Sequence, residues 1–366
     1  MKNFVKYFVL FLCVPYFLSS EALRVQPIFN FHFQDSARVF KKNILPLLEK
    51  NDIVFVDDNP DVILIFGRPI KDMRSLKYPH ILFDETESAS ICGKIKKNLK
   101  NPYTKAIFKN TTLRPKSLYN NTPLKKHHFK IIKNNPSTLR NSKIRSHSKN
   151  ERRKIRSALL AVRPLSTNEQ QKIQSVLWDT YRSPFNDALK HLKEHAIDFD
   201  AQRPVDVFFA GTINSSSTPG LHRTQLVKKL ETIKKINPKK TIISHIGRLP
   251  KEEYFDLLKK SKIVISPWGN GEWCWRDYEA IYSGAVVIKP DTSFVHAIPN
   301  LYCNDKYYVA CKADFSDLHK KISYVLANYQ KFTDMRKKAR NLLANHWDNE
   351  KIAQDLAKAI RQALKK

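Results

Sequence analysis

Short apolar runs alternate with amphipathic stretches along most of the chain, a pattern that predicts an α/β protein with parallel sheets. In the first half the runs are 27–33 (PIFNFHF), 53–56, 62–66 and 81–83. Each has the length of a strand buried on both faces. A turn cluster, Asp57-Asp58-Asn59-Pro60-Asp61, separates the second from the third. Ser36 is placed to cap a helix whose apolar positions Val39, Ile44, Leu45 and Leu48 share a face. A second series opens at Val205-Asp206-Val207-Phe208-Phe209. The pattern then predicts a helix over 222–236, a strand over 241–244 and an amphipathic helix over 251–260 using Tyr254, Phe255, Leu257 and Leu258. Between the two series, Ile173, Val176, Leu177 and Tyr181 recur at helical spacing and predict a connecting helix within 166–200. Near the end, Asp314 or Ser316 is placed to cap a helix reaching Leu326. From Asn349 the stripe Ile352, Leu356, Ile360, Leu364 marks a last amphipathic helix.

The stretch 262–290, KIVISPWGNGEWCWRDYEAIYSGAVVIKP, is the most informative. The run Ile263 to Ile265 stops at Ser266-Pro267. A loop with Gly269 and Gly271 follows, then a short helical pattern with Arg276 and Glu279, a stop at Gly284, and a second run from Ala285 to Ile288. Strand, loop, helix, strand puts a loop and a helix N-terminus at the C-terminal edge of a parallel sheet. Free backbone N–H groups and the helix dipole favour phosphate at such an edge. Only 8 glycines occur in 366 residues, and two lie in this loop. Arg276 and Glu279 are three apart and share one side of the helix.

Ordered pieces of the second half resemble the C-terminal domain of GT-B glycosyltransferases, specifically the exostosin-like group and its bacterial relatives. They are Phe208-Phe209-Ala210-Gly211-Thr212, His222-Arg223, Ser266-Pro267-Trp268-Gly269, Arg276-Asp277-Tyr278-Glu279-Ala280, Gly284, Lys289-Pro290-Asp291, Tyr308-Val309 and Asp314-Phe315-Ser316-Asp317-Leu318. The likeness runs over about 203–330. It implies two Rossmann-like domains facing a cleft: 23–200 for the acceptor, with a basic insertion near 111–165, and 201–348 for a nucleotide-diphosphate sugar. The helix 349–366 would cross back onto the N-terminal domain. The implied activity is hexosyl or pentosyl transfer to a glycan, lipid or protein hydroxyl.

The same resemblance implies roles for particular residues. Glu279 would accept hydrogen bonds from the donor ribose, since two carboxylate oxygens suit a cis-diol; the plain alternative is a surface ion pair with Arg276. Arg276 would hold the diphosphate through its planar fork. Arg223 is a second phosphate candidate, against an ordinary exposed arginine. Gly211, Gly269 and Gly271 would allow close backbone approach. Trp268, Trp273 and Trp275 offer one ring for stacking on a base or sugar, and at least one for the core. A catalytic base is placed by position alone: Asp35, Asp84 and Glu85 at strand ends, and His245 after a strand, where a capping role is the alternative. No metal-binding aspartate motif occurs where a metal-dependent transferase needs one, so neither metal nor other cofactor is expected beyond the donor.

Charge adds a rival reading. The net charge of +31 predicts attraction to anions. Lysines and arginines crowd the segment from Lys125 to Arg156. That cluster would suit a polyanion, a nucleic acid or an anionic membrane surface, although no nucleic-acid module accompanies it. A non-catalytic sugar-binding relative is a third possibility. Residues 1–22 read as a signal peptide or membrane anchor: Lys2 and Lys6 precede a short apolar region and the small-residue zone Ser19-Ser20-Glu21-Ala22. The competing reading makes 8–14 a first strand. A secretory-lumen location follows from the signal; the cytoplasmic face of a bacterial membrane is the alternative, since bacterial nucleotide sugars are cytosolic. Cys13, Cys92, Cys274, Cys303 and Cys311 show no zinc spacing. Free thiols are expected, with a Cys303–Cys311 pair as the alternative.

Overall fold

The computed structural model describes residues 22–30, 42–67, 76–84, 98–109, 111–113, 172–175, 197–213, 217–269, 271–345 and 349–365. The leader segment 1–21, Asp35, Ser36, Val39, Glu85, and the basic cluster from Lys125 to Arg156 lie outside these residues.

The N-terminal part supplies β1 (Leu23–Asn30), α1 (Leu45–Glu49), β2 (Ile53–Phe55), β3 (Val62–Gly67), β4 (His80–Asp84), β5 (Thr104–Lys109), β6 (Thr111–Leu113) and β7 (Ile173–Ser175). The C-terminal part supplies β8 (Val205–Gly211), α2 (Thr218–Ile236), β9 (Ile242–Ile246), α3 (Lys251–Lys260), β10 (Ser261–Ile265) and α4 (Trp275–Tyr282). β11 (Val286–Pro290), β12 (Val295–Ala297), β13 (Val309–Cys311), α5 (Leu318–Ala327), α6 (Thr333–Ala344) and α7 (Asn349–Leu364) complete it.

Two all-parallel sheets result. The first has six strands in the order β2-β1-β3-β4-β5-β7 and the second five in the order β13-β11-β10-β8-β9. Each begins one strand in from an edge, steps out to that edge for its second strand, then reverses past its first. In the second sheet the reversal lies between β8 and β10, and a sheet of this kind opens a crevice at such a point. Each parallel sheet with its helices is thus a Rossmann-like α/β unit.

Burial is nearly continuous along β8, β10 and β11 because both sheet faces are covered, and successive residues face opposite sides. Val207, Phe209, Ile263, Ile265, Val286 and Ile288 pack on one side with α2 and α5. Phe208, Ala210, Val264 and Val287 face the other way, into a cluster that also takes Ile63, Ile65, Leu82 and Ile107 from the first sheet. The outer face of the first sheet is closed by α7, whose Ile352, Leu356 and Ile360 pack with Val25, Leu64, Phe66 and Phe108. Arg361 of that helix donates from Nη2 to the Asn51 carbonyl oxygen at 2.6 Å. The last helix therefore does cross back. The antiparallel pair β6–β12, with Leu113 opposite Val295, joins the two parts a second time.

Three expectations need correction. Ile173 belongs to the edge strand β7 rather than to a connecting helix; Val176, Leu177 and Tyr181 lie outside the described residues. The helix expected from residue 222 starts at Thr218, where Ser217 Oγ accepts from the Gly220 N–H at 3.1 Å. The cap of α5 is Asp317 rather than Asp314 or Ser316. Cys274, Cys303 and Cys311 are all free, as expected, and the alternative Cys303–Cys311 pair does not form.

Candidate functional site

The C-terminal end of β8 carries Ala210 and Gly211, and three later segments converge there. α2 brings Arg223, whose Nη1 donates to the Thr212 carbonyl oxygen at 2.8 Å. The turn after β9 and the start of α3 bring Arg248, Lys251 and Tyr254, and α4 brings Arg276 and Glu279. Together they enclose a pocket of about 350 Å³. Four cationic side chains and one carboxylate line it. That balance suits an anionic ligand that also presents hydroxyl groups.

Arg276 is fixed by the main chain. Its Nη2 donates to the Ala210 carbonyl oxygen at 2.6 Å, and its guanidinium lies 5.1 Å from the Phe209 ring centroid. Among the described residues its buried Nε has no hydrogen-bond partner. Burial opposes the charge, but Cys274, Tyr254, Glu279 and Asp277 together outweigh it and raise the Arg276 pKa. The close fit explains Gly211: a Cβ there would sit 3.1 Å from Arg276 Nη2 and 3.2 Å from the Phe209 ring.

Glu279 Oε2 accepts a hydrogen bond from the Tyr254 hydroxyl at 2.7 Å. Burial raises the Glu279 pKa. The Tyr254 bond and the Arg276 charge pull it down, while the Asp277 charge adds to the rise. Burial likewise holds the Tyr254 phenol well above its usual range, with Glu279 reinforcing the effect. Tyr254, read from the sequence only as part of an apolar stripe, is thus a pocket residue. Arg248 and Lys251 were also missed; nothing in their spacing marks them, because only the β9–α3 turn brings them to β8.

Beneath the pocket, Asp277 organises the loop. It pairs with Lys289 Nζ at 3.2 Å, and side-chain exposures of 2% and 1% place both in the interior. Ser266 Oγ donates to its Oδ1 at 2.6 Å, and the Tyr302 hydroxyl donates to its Oδ2 at 2.9 Å. The Cys274 N–H donates to Oδ2 at 3.3 Å, which fixes the start of α4. A loop held by buried charge in this way keeps the neighbouring Arg276 and Glu279 in one orientation.

The structure brings four of the expected donor residues to one pocket: Gly211, Arg223, Arg276 and Glu279. Gly269 and Gly271 do not line it. The Gly269 N–H donates to the Gly271 carbonyl oxygen at 3.1 Å, and Gly269 touches the site only through Arg223, whose Nη2 would lie 3.6 Å from a Cβ there. His245 lies inside β9, opposite Ala210, rather than after the strand, and is not part of the pocket lining. Asp84 ends β4, as expected of a strand-end residue. Trp268 and Trp273 are core residues; their indole N–H groups donate to Thr292 Oγ1 at 3.0 Å and to the Tyr278 hydroxyl at 2.6 Å. His222 is also structural, with Nε2 2.8 Å from the Ala313 carbonyl oxygen and its ring stacked on Phe315. Among the described residues no group of three or more His, Cys, Asp or Glu side chains gathers to hold a metal, and no helix is long and apolar enough to cross a membrane.

Residues 224–358 match the model of a family described as glycosyl transferase-like. The match runs from the second turn of α2 into α7, and it includes Arg248, Lys251, Tyr254, Arg276 and Glu279 of the pocket but neither Arg223 nor the end of β8. No curated protein matches the chain. Among solved structures, a glycosyltransferase from Rickettsia africae aligns at 12% identity over 94% of this chain and 99% of its own, with a TM-score of 0.46. An α-glucosyltransferase in complex with UDP-glucose and DNA aligns at 8% identity over 94% and 100%, with a TM-score of 0.45. The UDP-GlcNAc 2-epimerase of Neisseria meningitidis aligns at 12% identity over 93% and 99%, with a TM-score of 0.42.

Proposed function

We propose that the chain is a GT-B glycosyltransferase that moves a hexosyl or pentosyl group from a nucleotide-diphosphate sugar to an acceptor hydroxyl on a glycan, lipid or protein. The observation that carries the reading is the pocket at the end of β8, where four cations and one carboxylate meet, of which Arg248, Lys251, Arg276 and Glu279 fall within the glycosyl transferase-like match. Arg276, Arg223, Arg248 and Lys251 take the diphosphate. Glu279 takes the ribose hydroxyls.

Departure of the glycosyl group leaves negative charge on the diphosphate. Arg276 is already held against the Ala210 carbonyl and needs no rearrangement to meet that charge. The acceptor is taken by the N-terminal domain, where Asp84 ends β4.

The test is release of nucleoside diphosphate from a panel of nucleotide sugars offered with a mixture of glycan, lipid and peptide hydroxyls, without added metal. Release with one donor, lost in Arg276→Ala and in Glu279→Gln variants that still fold, is the expected result. Release that persists in both variants contradicts the assignment.

A further inference from the structure

Tyr254 has a second neighbour relation that the donor assignment does not use. Its ring packs against Phe208 and Phe255, at centroid distances of 5.9 and 5.5 Å, so its hydroxyl reaches Glu279 from a fixed direction. The bond falls on Oε2 at 2.7 Å. Among the described residues Oε1 accepts no hydrogen bond, and both Tyr254 and Glu279 line the pocket. We infer that Tyr254 is a positioning residue for diol recognition: it anchors one oxygen of the Glu279 carboxylate, keeps the group ionised, and leaves the other oxygen to the ribose hydroxyls. This rests on the donor-site reading and adds to it the residue that sets selectivity for a ribonucleotide.

The physical argument has two parts. A carboxylate that is mostly buried favours its neutral form unless donors or cations hold the charge. The groups around Glu279 are Tyr254 and Lys251 from α3, Arg276 and Asp277 beside it on α4, Cys274 just before that helix, Arg248 from the turn after β9, and Arg223 from α2. Of these only Tyr254 donates a hydrogen bond to it among the described residues. The second part is rotational. A carboxylate with one oxygen anchored has a single orientation for the other, whereas a free one must be ordered when the ligand arrives.

The test compares binding of a ribonucleoside diphosphate with that of its 2′,3′-dideoxy analogue, for the wild type and Tyr254→Phe, across pH. The ratio of the two affinities cancels the titration of the diphosphate itself. The wild type is expected to prefer the ribonucleotide by roughly 10-fold or more, the effect of a charge-assisted hydrogen bond. In Tyr254→Phe that preference falls severalfold at neutral pH, while dideoxy binding is unchanged, and the preference returns as the pH rises. The wild type alone supplies a second readout: its preference disappears on acidification as Glu279 takes up a proton. Equal weakening of both ligands in Tyr254→Phe, or an unaltered preference, overturns the inference and leaves the donor site standing. Absence of any nucleotide binding by the wild type removes the donor site and the inference with it.

Discussion

The two faces of α4 carry charge under opposite conditions. Arg276 and Glu279 look into the pocket; Asp277, one residue along, is in the interior. Asp277 has its charge answered within the protein by Lys289, Ser266, Tyr302 and the Cys274 N–H. Arg276 keeps a buried Nε with no hydrogen-bond partner among the described residues, and Glu279 keeps an oxygen that accepts none there. The Asp277 carboxylate is answered within the protein, whereas Arg276 and Glu279 each keep an atom with no hydrogen-bond partner among the described residues. One short helix thus separates architecture from recognition, and substitutions on the two faces should separate stability from binding.

The largest effect is expected from Asp277→Ala. Removing one partner of a buried pair leaves Lys289 uncompensated and should cost about 3–5 kcal/mol in denaturant unfolding. A double variant that also changes Lys289→Met should recover part of that loss. If the single variant is as stable as the wild type, the interior pair does not organise the loop.

Next comes Arg276→Ala. The loss of a charge-assisted contact should weaken nucleoside diphosphate binding by roughly 10- to 100-fold in calorimetry. Stability should fall only by about 1 kcal/mol, because one neutral acceptor at Ala210 is left without its donor. A loss of stability as large as that of Asp277→Ala would erase the contrast between the faces.

Glu279→Gln should move the two properties in opposite directions. Burial raises the Glu279 pKa in the folded protein. The folded state therefore holds the proton more tightly than the unfolded chain, and stability is lost as pH rises through the folded pKa. The neutral amide escapes that loss and its oxygen still accepts from Tyr254. At neutral pH the variant should melt about 1–3 °C higher than the wild type, with no such gain in acidic buffer. Its nucleotide affinity should drop.

Gly211→Ala should have the smallest effect. The added methyl meets the ends of two side chains, Arg276 and Phe209, rather than backbone. A displacement of a few tenths of an ångström should weaken nucleotide binding only about threefold, with little change in melting temperature.

What the sequence revealed follows the same division. β8, β10 and β11 were legible because strands covered on both faces must be continuously apolar. β5 was not: it ends in Lys109, which is fully buried, so its pattern is broken by charge. β7 was misread because Ile173, Val176 and Leu177 have helical spacing, and a three-residue edge strand is defined by its partner β5 rather than by itself. In the site, Arg276 and Glu279 were visible as a local i, i+3 pair within a strand–loop–helix–strand unit. The Asp277–Lys289 pair joins residues that only the strand-to-helix return brings together, and no local pattern announces it. Tyr254 was hidden in plain view, since an apolar stripe predicts burial for its ring and says nothing about the hydroxyl at its tip.

The measurement that tests the central claim most directly is titration calorimetry of nucleoside diphosphates into the wild type and Glu279→Gln, without added metal. The account predicts that one nucleoside diphosphate binds the wild type at one site and binds the variant at least about 10-fold more weakly, with the variant still folded. A folded wild type that binds no nucleoside diphosphate, or a variant that binds as tightly as the wild type, would contradict it.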